Sequence, residues 1–540
     1  MKKNSLICIL FLLFSSPVFT TAGDIIKEIP SPGPCLTGLT YDGSFLWGVD
    51  RKKDMIYKID PSDGSIKKSF ESPGYFVTGM TWDGKHLWIS DMDFTNTSTE
   101  TYTGKIYKVC PETGKTLHII TTPGSDPQGL AWAANSLWVS DNQTDMIYQL
   151  SPDDGTTIHS FPSPSSDPRG LAWDGSYLWI ADRSQDELYR VHPSKGVVVM
   201  ILNSPAPYPW GLTWINDALI NGDYQTDKIY FLNVFDRPKF KKNNPRMEEI
   251  EFSSDIINFG PGVLTALDIF IAEPIDRPNQ KILEIDYPLT PKEFVTDQWG
   301  QKSAHFIKKN LNPGDRFMPQ IKVRAEINEV MYYIFPEKVG ALKDIPKKVR
   351  DKYLADDLKY CVNMPYIQKA AKIAVSGAEN PYWIARNIFD YLRQILHYER
   401  IGGWDIAPTV IKRGSGSCSE YTFAYIALCR AAGLPARYVG AVVIRGEDAC
   451  FDYVYHRWVE VYLPNYGWIP VDPSRGDKDW PRDQARSFGY LDNVFLITTQ
   501  GGGDSEYLGW DYNSHDTWQA DGPVQLRVEN IAEWSPIRTD

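Results

Sequence analysis

Five glycines, Gly38, Gly79, Gly129, Gly170 and Gly211, open units spaced 41, 50, 41 and 41 residues apart. No other feature restricts the fold as much, because a unit repeated in register must pack against copies of itself. Trp47, Trp88, Trp138 and Trp179 share one place in four of the units, with Ile220 in the fifth. Asp50, Asp91, Asp141, Asp182 and Asp223 follow three residues later in all of them, and Tyr57, Tyr107, Tyr148, Tyr189 and Tyr230 mark a second strand. Short strands at a period of about 40 residues describe a β-propeller whose blades are four-stranded sheets. Residues 23–235 therefore read as a five-bladed β-propeller. The segment Ile25-Ile26-Lys27-Glu28-Ile29 before Ser31-Pro32-Gly33 mirrors Ile66-Lys67-Lys68-Ser69-Phe70 before Ser72-Pro73-Gly74. It is expected to supply the outer strand of the last blade, closing the ring and removing free sheet edges.

The longer second unit carries a polar insertion near Phe94 to Tyr102. The aligned aspartates invite a metal or ligand reading, but an Asp after a strand commonly caps a turn through the turn's own backbone. The propeller is accordingly expected to present a binding surface or to position an enzyme domain. A basic linker with Pro and Asn, from Asp236-Arg237-Pro238-Lys239 to Pro245, ends the ring. Residues 246–338 then show six strand-like runs separated by Pro, Gly and Asn, the spacing of a β-sandwich.

The chemistry lies further on. Arg413-Gly414-Ser415-Gly416-Ser417 is a flexible loop leading into a predicted helix from Cys418 to Ala432, with Phe423, Ala424, Ala427, Leu428 and Ala431 at helical spacing. Gly433 and Pro435 end it. Cys418 thus sits in a first turn, where unpaired N–H groups and the macrodipole favour the thiolate, its reactive form. His456 lies on a predicted strand, Pro464-Asn465-Tyr466-Gly467 makes a turn, and Trp468 to Asp472 returns. Asp472 shares a face with His456 if the paired positions sum to an even number, as with Tyr462 opposite Trp468. In that register Asp472 orients the imidazole and His456 activates Cys418, the logic of a catalytic triad. His397 precedes the cysteine, outside this order, and is set aside.

Three blocks taken together, Gly416-Ser417-Cys418, the "RAAGLPAR" run from Arg430 to Arg437, and His456-Arg457-Trp458-Val459-Glu460-Val461 with Gly467 to Pro473, resemble the transglutaminase-like superfamily. The likeness is to extracytoplasmic microbial members and covers about 340–540. It implies an α+β papain-like core, with Cys418 as nucleophile, His456 as base and acid and Asp472 as orienter. It also implies acyl transfer through a thioester on a Gln side chain or peptide-type amide. An immunoglobulin-like sandwich often precedes such a core, which agrees with 246–338. Eukaryotic members place a Trp ahead of the cysteine as an oxyanion donor. Trp404 is the candidate here, beside the Cys418 backbone N–H and with Tyr398 as fallback. Within the core, Asn380-Pro381 opens a helix with Ile384, Ile388, Tyr391, Leu392 and Ile395 on its buried side. The tail, from Val494 to Thr498 and on through Trp510, Trp518 and Trp534, reads as further strands of the core sheet.

Residues 1–22 have the charged start, apolar core and small-residue cleavage site of a signal peptide, implying a secreted or periplasmic protein. No later run is long and apolar enough for a transmembrane span. A net charge of −12 argues against nucleic acid as a partner. Of seven Cys, Cys8 lies in the signal, and the rest show no paired spacing, so few or no disulfides and no zinc site are expected. Neither a cofactor nor a calcium loop is called for. The substrate expected is a protein, a peptide or a cell-envelope polymer, with hydrolysis favoured over crosslinking because no amine-donor site is specified. The alternative is a cell-surface or polymer-binding propeller protein whose transglutaminase-like domain is structural or inactive.

Overall fold

The computed structural model describes residues 21–93, 103–235, 239–400 and 404–537. Nearly all of the expected signal peptide, the insertion at 94–102 and residues 236–238 of the expected linker lie outside them.

The repeat builds five four-stranded antiparallel sheets, a propeller-like arrangement. Sheet I holds Leu36–Tyr41, Leu46–Asp50, Met55–Ile59 and Ile66–Glu71, and sheets II, III and IV occupy 77–121, 127–162 and 168–203. Sheet V takes three strands from 209–233 and completes itself with Ile25–Pro30, which pairs antiparallel with Lys228–Asn233. The innermost strands touch in cyclic order, I to V and back to I. The aligned glycines make that closeness possible. A Cβ on Gly79 would fall 2.9 Å from the Cα of Gly129, and one on Gly211 would fall 2.9 Å from the Leu39 Cβ. A side chain at these points would meet the next sheet's backbone or first side-chain atoms.

The aligned aspartates close turns. Asp50 accepts the Lys52 and Lys53 N–H groups at 2.9 Å and the Cys35 N–H at 3.1 Å. Asp141 and Asp182 repeat the pattern, each binding a turn N–H and the N–H fifteen residues back. Trp47, Trp88 and Trp179 donate their indole N–H to Asp42, Asp83 and Asp174 at 2.8, 2.9 and 3.1 Å.

One sheet departs from its copies. The outer strands of sheets I, II, III and V are largely exposed, whereas Val198–Asn203 in sheet IV is buried from Val198 to Leu202. Val199 and Tyr177 share one hydrophobic core with the catalytic unit, and Met200 and Ile201 share another with Phe335 and Ala485.

Strand pairing continues directly after the ring. The expected linker residues from Phe240 onwards already belong to a long strand, Phe240–Ala272, beginning with Phe240 opposite Tyr332. This strand contains two of the runs predicted as separate, 249–252 and 263–271. One edge pairs first with Gln320–Tyr332 and then with Lys302–Leu311. The other edge is filled by Ser514–Pro536, from Glu248 opposite Pro536 to Ile271 opposite Ser514. The Trp518 and Trp534 tail, expected in the core sheet, is therefore built into this middle sheet. Its apolar side chains answer the strand's alternation, with Trp534 and Ala532 in the middle core. The middle sheet thus takes strands from both ends of the remaining chain, and Ser514–Pro536, within the range 340–540, pairs with Phe240–Ala272.

The unit that holds Cys418, His456 and Asp472 is α+β. The helix Pro381–Ile395 starts as predicted, with the Asn380 side chain accepting the Tyr382 N–H at 2.9 Å. The helix Cys418–Ala431 is buried from Ser419 to Arg430 on every side, not along one stripe, and packs centrally. A four-stranded sheet stands beside it in the order Gly467–Val471, His456–Leu463, Ala436–Val443 and Phe495–Gly501.

Candidate active site

The loop that leads into Cys418 is fixed from beneath. Glu420, fully buried, accepts the Ser417 N–H at 2.9 Å and the Arg413 guanidinium at 2.7 Å. A buried carboxylate needs such partners, and here they lock the turn that delivers Cys418 to the helix start. The "RAAGLPAR" block serves the same purpose at the helix end. Arg430 donates to the Ala436 and Ala355 carbonyls at 2.8 and 2.6 Å, and Arg437 pairs with Glu460. Glu460 also takes Arg277, from the connection that follows Phe240–Ala272, at 2.6 Å, and these two arginines, working against its burial, hold its carboxyl at a pKa of about 2.

Tyr462 lies opposite Trp468, the predicted register. Val459 pairs with Val471, so His456 and Asp472 fall on one face, and His456 Nε2 meets Asp472 Oδ2 at 2.5 Å. Asp472 Oδ1 accepts the Ser474 hydroxyl at 2.8 Å and the Arg475 N–H at 3.0 Å, which fixes the carboxylate plane. Cys418 lies beside the imidazole in one cleft, where His456 and the Arg457 backbone N–H both favour its thiolate. Burial opposes the thiolate, but these two contacts outweigh it and lower the thiol's pKa. Burial also opposes the imidazolium, but the Asp472 carboxylate outweighs it and pushes the His456 pKa up to about 10. Asp472 moves below the usual carboxylate range, with burial overcome by His456. Both shifts favour a thiolate–imidazolium pair over the neutral pair.

A cleft of about 580 Å³ opens over Cys418, lined among others by Tyr398, Trp404, His456 and Tyr512. A second hollow of about 830 Å³ lies across His456, with Arg445, Arg475, Lys478, Arg482 and Arg486 on its wall. Tyr398, Arg445 and His456 belong to both. Trp404 lies in the Cys418 cleft with a left-handed backbone (φ 45°) and faces Tyr512 at 6.0 Å between ring centroids. His397 is exposed and apart from the cleft.

Sequence reasoning missed Arg457 and Tyr512. Arg457 is fully buried, donates to the Trp510 carbonyl at 2.5 Å, and lies 4.2 Å from the Tyr512 ring centre and 4.8 Å from that of Trp404. A charged residue between two motif residues on a buried strand was the available signal. Tyr512 gave none, because its place depends on the tail crossing to the middle sheet. Among the described residues, no group of three His, Cys, Asp or Glu is arranged to hold a metal, and the six cysteines are free thiols.

Residues 368–473 match the family model of the transglutaminase-like superfamily, so this part of the chain is a transglutaminase-like core that ends just after Asp472. Over 103 residues the chain is 30% identical to YebA, an uncharacterised protein of Bacillus subtilis strain 168; the match covers 17% of this chain and 12% of that protein. The chain therefore spans about an eighth of that relative's length. A solved structure of a candidate cysteine protease from Cytophaga hutchinsonii is similar at 17% identity and a TM-score of 0.39, covering 56% of this chain and 94% of that one. The glutaminyl cyclase of Myxococcus xanthus is similar at 13% identity and a TM-score of 0.34, covering 39% of this chain and 97% of that one.

Proposed function

We propose that the protein is a secreted, cysteine-dependent acyl-transfer enzyme that hydrolyses peptide or glutamine amides. The observation that carries this reading is the contact of Cys418, at a helix start, with an imidazole held by Asp472 inside an open cleft. Cys418 attacks the amide carbonyl, the C–N bond breaks, and His456 gives its proton to the departing amine. A thioester remains. Water then loses a proton to His456 and attacks the thioester, the acid leaves, and the thiolate returns. The backbone N–H of Cys418 and the Trp404 indole are the proposed oxyanion donors. Hydrolysis is favoured because water is abundant outside the cell and nothing in the sequence specifies an amine-donor site. In this reading the five sheets are the blades of a closed five-bladed propeller that recruits substrate.

The test uses the purified protein and Cys418→Ala with a mixed protein substrate and a tagged primary amine, analysed by mass spectrometry. New peptide termini or Gln-to-Glu conversion, reduced at least about 10³-fold in the variant, is the expected result. Amine incorporation would make the enzyme a crosslinker. Identical products from both proteins would leave the propeller as a binding module with an inactive core. Activity should rise with pH as Cys418 ionises at its lowered pKa, then fall as His456 loses its proton near pH 10. Asp472→Asn removes the charge that raises His456, so the falling limb should move to lower pH and the rate should drop about 10²–10⁴-fold.

A further inference from the structure

The segment following Asp472 leaves the core sheet and returns to it. Residues 473–489 run out through a short helix, Pro481–Ala485, and come back beside the strand that carries the triad carboxylate. On return, the Ser487 carbonyl accepts the Asp472 N–H at 2.8 Å, and Gly489 donates to Pro470 at 2.8 Å. Arg482, Arg486 and Ser487 of this segment also wall the larger hollow beside His456. Its outer end is gripped by the propeller. Glu187 of sheet IV, buried, accepts from Arg482 Nε at 2.7 Å and Nη2 at 3.2 Å and from Arg486 at 2.5 Å. The Tyr189 hydroxyl donates to the same carboxylate at 2.8 Å, and the Arg482 N–H donates to the Pro164 carbonyl at 3.2 Å.

We infer that Glu187 is a positioning residue for the triad: through Arg482 and Arg486 the propeller holds the segment that fixes Asp472 and shapes the hollow beside His456. The inference rests on the proposed thiol chemistry. Two observations carry it. Glu187 is the carboxylate between two arginines at a buried junction, so removing its charge leaves two cations without their shared counter-ion. The segment they anchor makes a main-chain hydrogen bond to Asp472 itself. The propeller is then part of the catalytic apparatus, and the enzyme core is expected to be incompletely ordered without it. The groups facing His456 and Asp472 are Cys418, Tyr398, Arg445, Ser474 and Arg475 and, around the larger hollow, Asp477, Lys478, Arg482, Asp483, Arg486, Tyr490 and Asp492; of these, Arg482 and Arg486 alone pair with Glu187.

The test reads the triad without a substrate. Alkylation of Cys418 by iodoacetamide is followed against pH by peptide mass spectrometry in the full chain, in Glu187→Gln and in Glu337→Gln. Glu337 pairs with Arg190 at the same junction, at 3.1 Å, but touches no residue of the 473–489 segment through that pair. In Glu187→Gln, loosening Asp472 should weaken its hold on His456, moving the limb that reports imidazolium loss down by about half a unit, roughly threefold in rate at a fixed pH on that limb. Glu337→Gln should keep the wild-type profile. A profile in Glu187→Gln that matches wild type overturns the inference, as does an equal shift in Glu337→Gln, which would mark a general loosening of the junction. If Glu187→Gln loses its fold, Arg486→Met, which removes one donor and keeps the carboxylate and Arg482, must show the same shift for the inference to stand. Failure of wild-type Cys418 to alkylate faster than Cys361 and Cys450 at pH 6 would instead overturn the thiol chemistry itself.

Discussion

Sheets III and IV are copies of one unit, yet they sit in different surroundings. Ile158 on the outer strand of sheet III is 59% exposed, while Val199, one period later, is 7% exposed inside the catalytic unit's core. The outer strand of sheet III reads Thr-Ile-His-Ser-Phe-Pro and that of sheet IV reads Val-Val-Met-Ile-Leu-Asn. The inner positions, which make the ring, are alike; the outer positions, which meet solvent or a partner, are not. The repeat therefore encodes the ring, and the departure from the repeat encodes where the unit that holds Cys418 packs. A fully apolar strand is what burial on both faces requires.

Substitutions at equivalent positions test this contrast. The largest effect is expected from Val199→Lys, which buries an unpaired charge in the junction and should cost about 3 kcal/mol or more, whereas Ile158→Lys should fall within about 0.5 kcal/mol of wild type. Equal losses by thermal or denaturant unfolding would break the contrast. A smaller effect, equal in both sheets, is expected where the copies agree. Asp141→Ala and Asp182→Ala each leave turn N–H groups unpaired and should each cost about 1–2 kcal/mol. A much greater loss at Asp182 would mean that sheet IV uses its aspartate differently. The smallest effect belongs to the junction's rim, where Lys195 reaches Asn387 at 3.2 Å and lies 4.3 Å from the Trp383 ring centre. Lys195→Ala should cost about 0.5 kcal/mol, with alkylation of Cys418 unchanged.

The cyclic sheets and the meeting of Cys418, His456 and Asp472 were legible for the same reason: both depend on local or near-local patterns. Gly38 and its copies announce close backbone approach by their spacing, and Tyr462 opposite Trp468 follows from a short turn. The register of that hairpin alone brings His456 to Asp472. What stayed hidden depends on partners distant in sequence. Alternating residues at 519–534 fit any sheet, and only the complementary edge of Phe240–Ala272 decides which one they join. The same holds for Glu187, whose carboxylate looks like an ordinary strand-start residue until two arginines nearly 300 positions later close on it (|i−j| 295 and 299). Arg457 was visible in the motif, but its aromatic cage, completed by Tyr512, was not.

The tail strand has a further consequence for the order in which the molecule comes together. Asp511, Tyr512, Ser514, Asp516 and Asn530 wall the cleft over Cys418, and the strand beginning at Ser514 pairs with residues synthesised long before it, Thr265 meeting Gln519 across 254 positions. Contacts of that separation form late, because the entropy of closing so large a loop is met before any pairing compensates it. The nucleophile helix and the His456 hairpin are local and can form earlier. A chain that lacks this pairing would hold the Cys418 helix and the His456–Asp472 hairpin but miss one wall of the cleft over them. Topology thereby sets an order: the wall of the cleft over Cys418 is complete only once Ser514–Pro536 has paired with Phe240–Ala272.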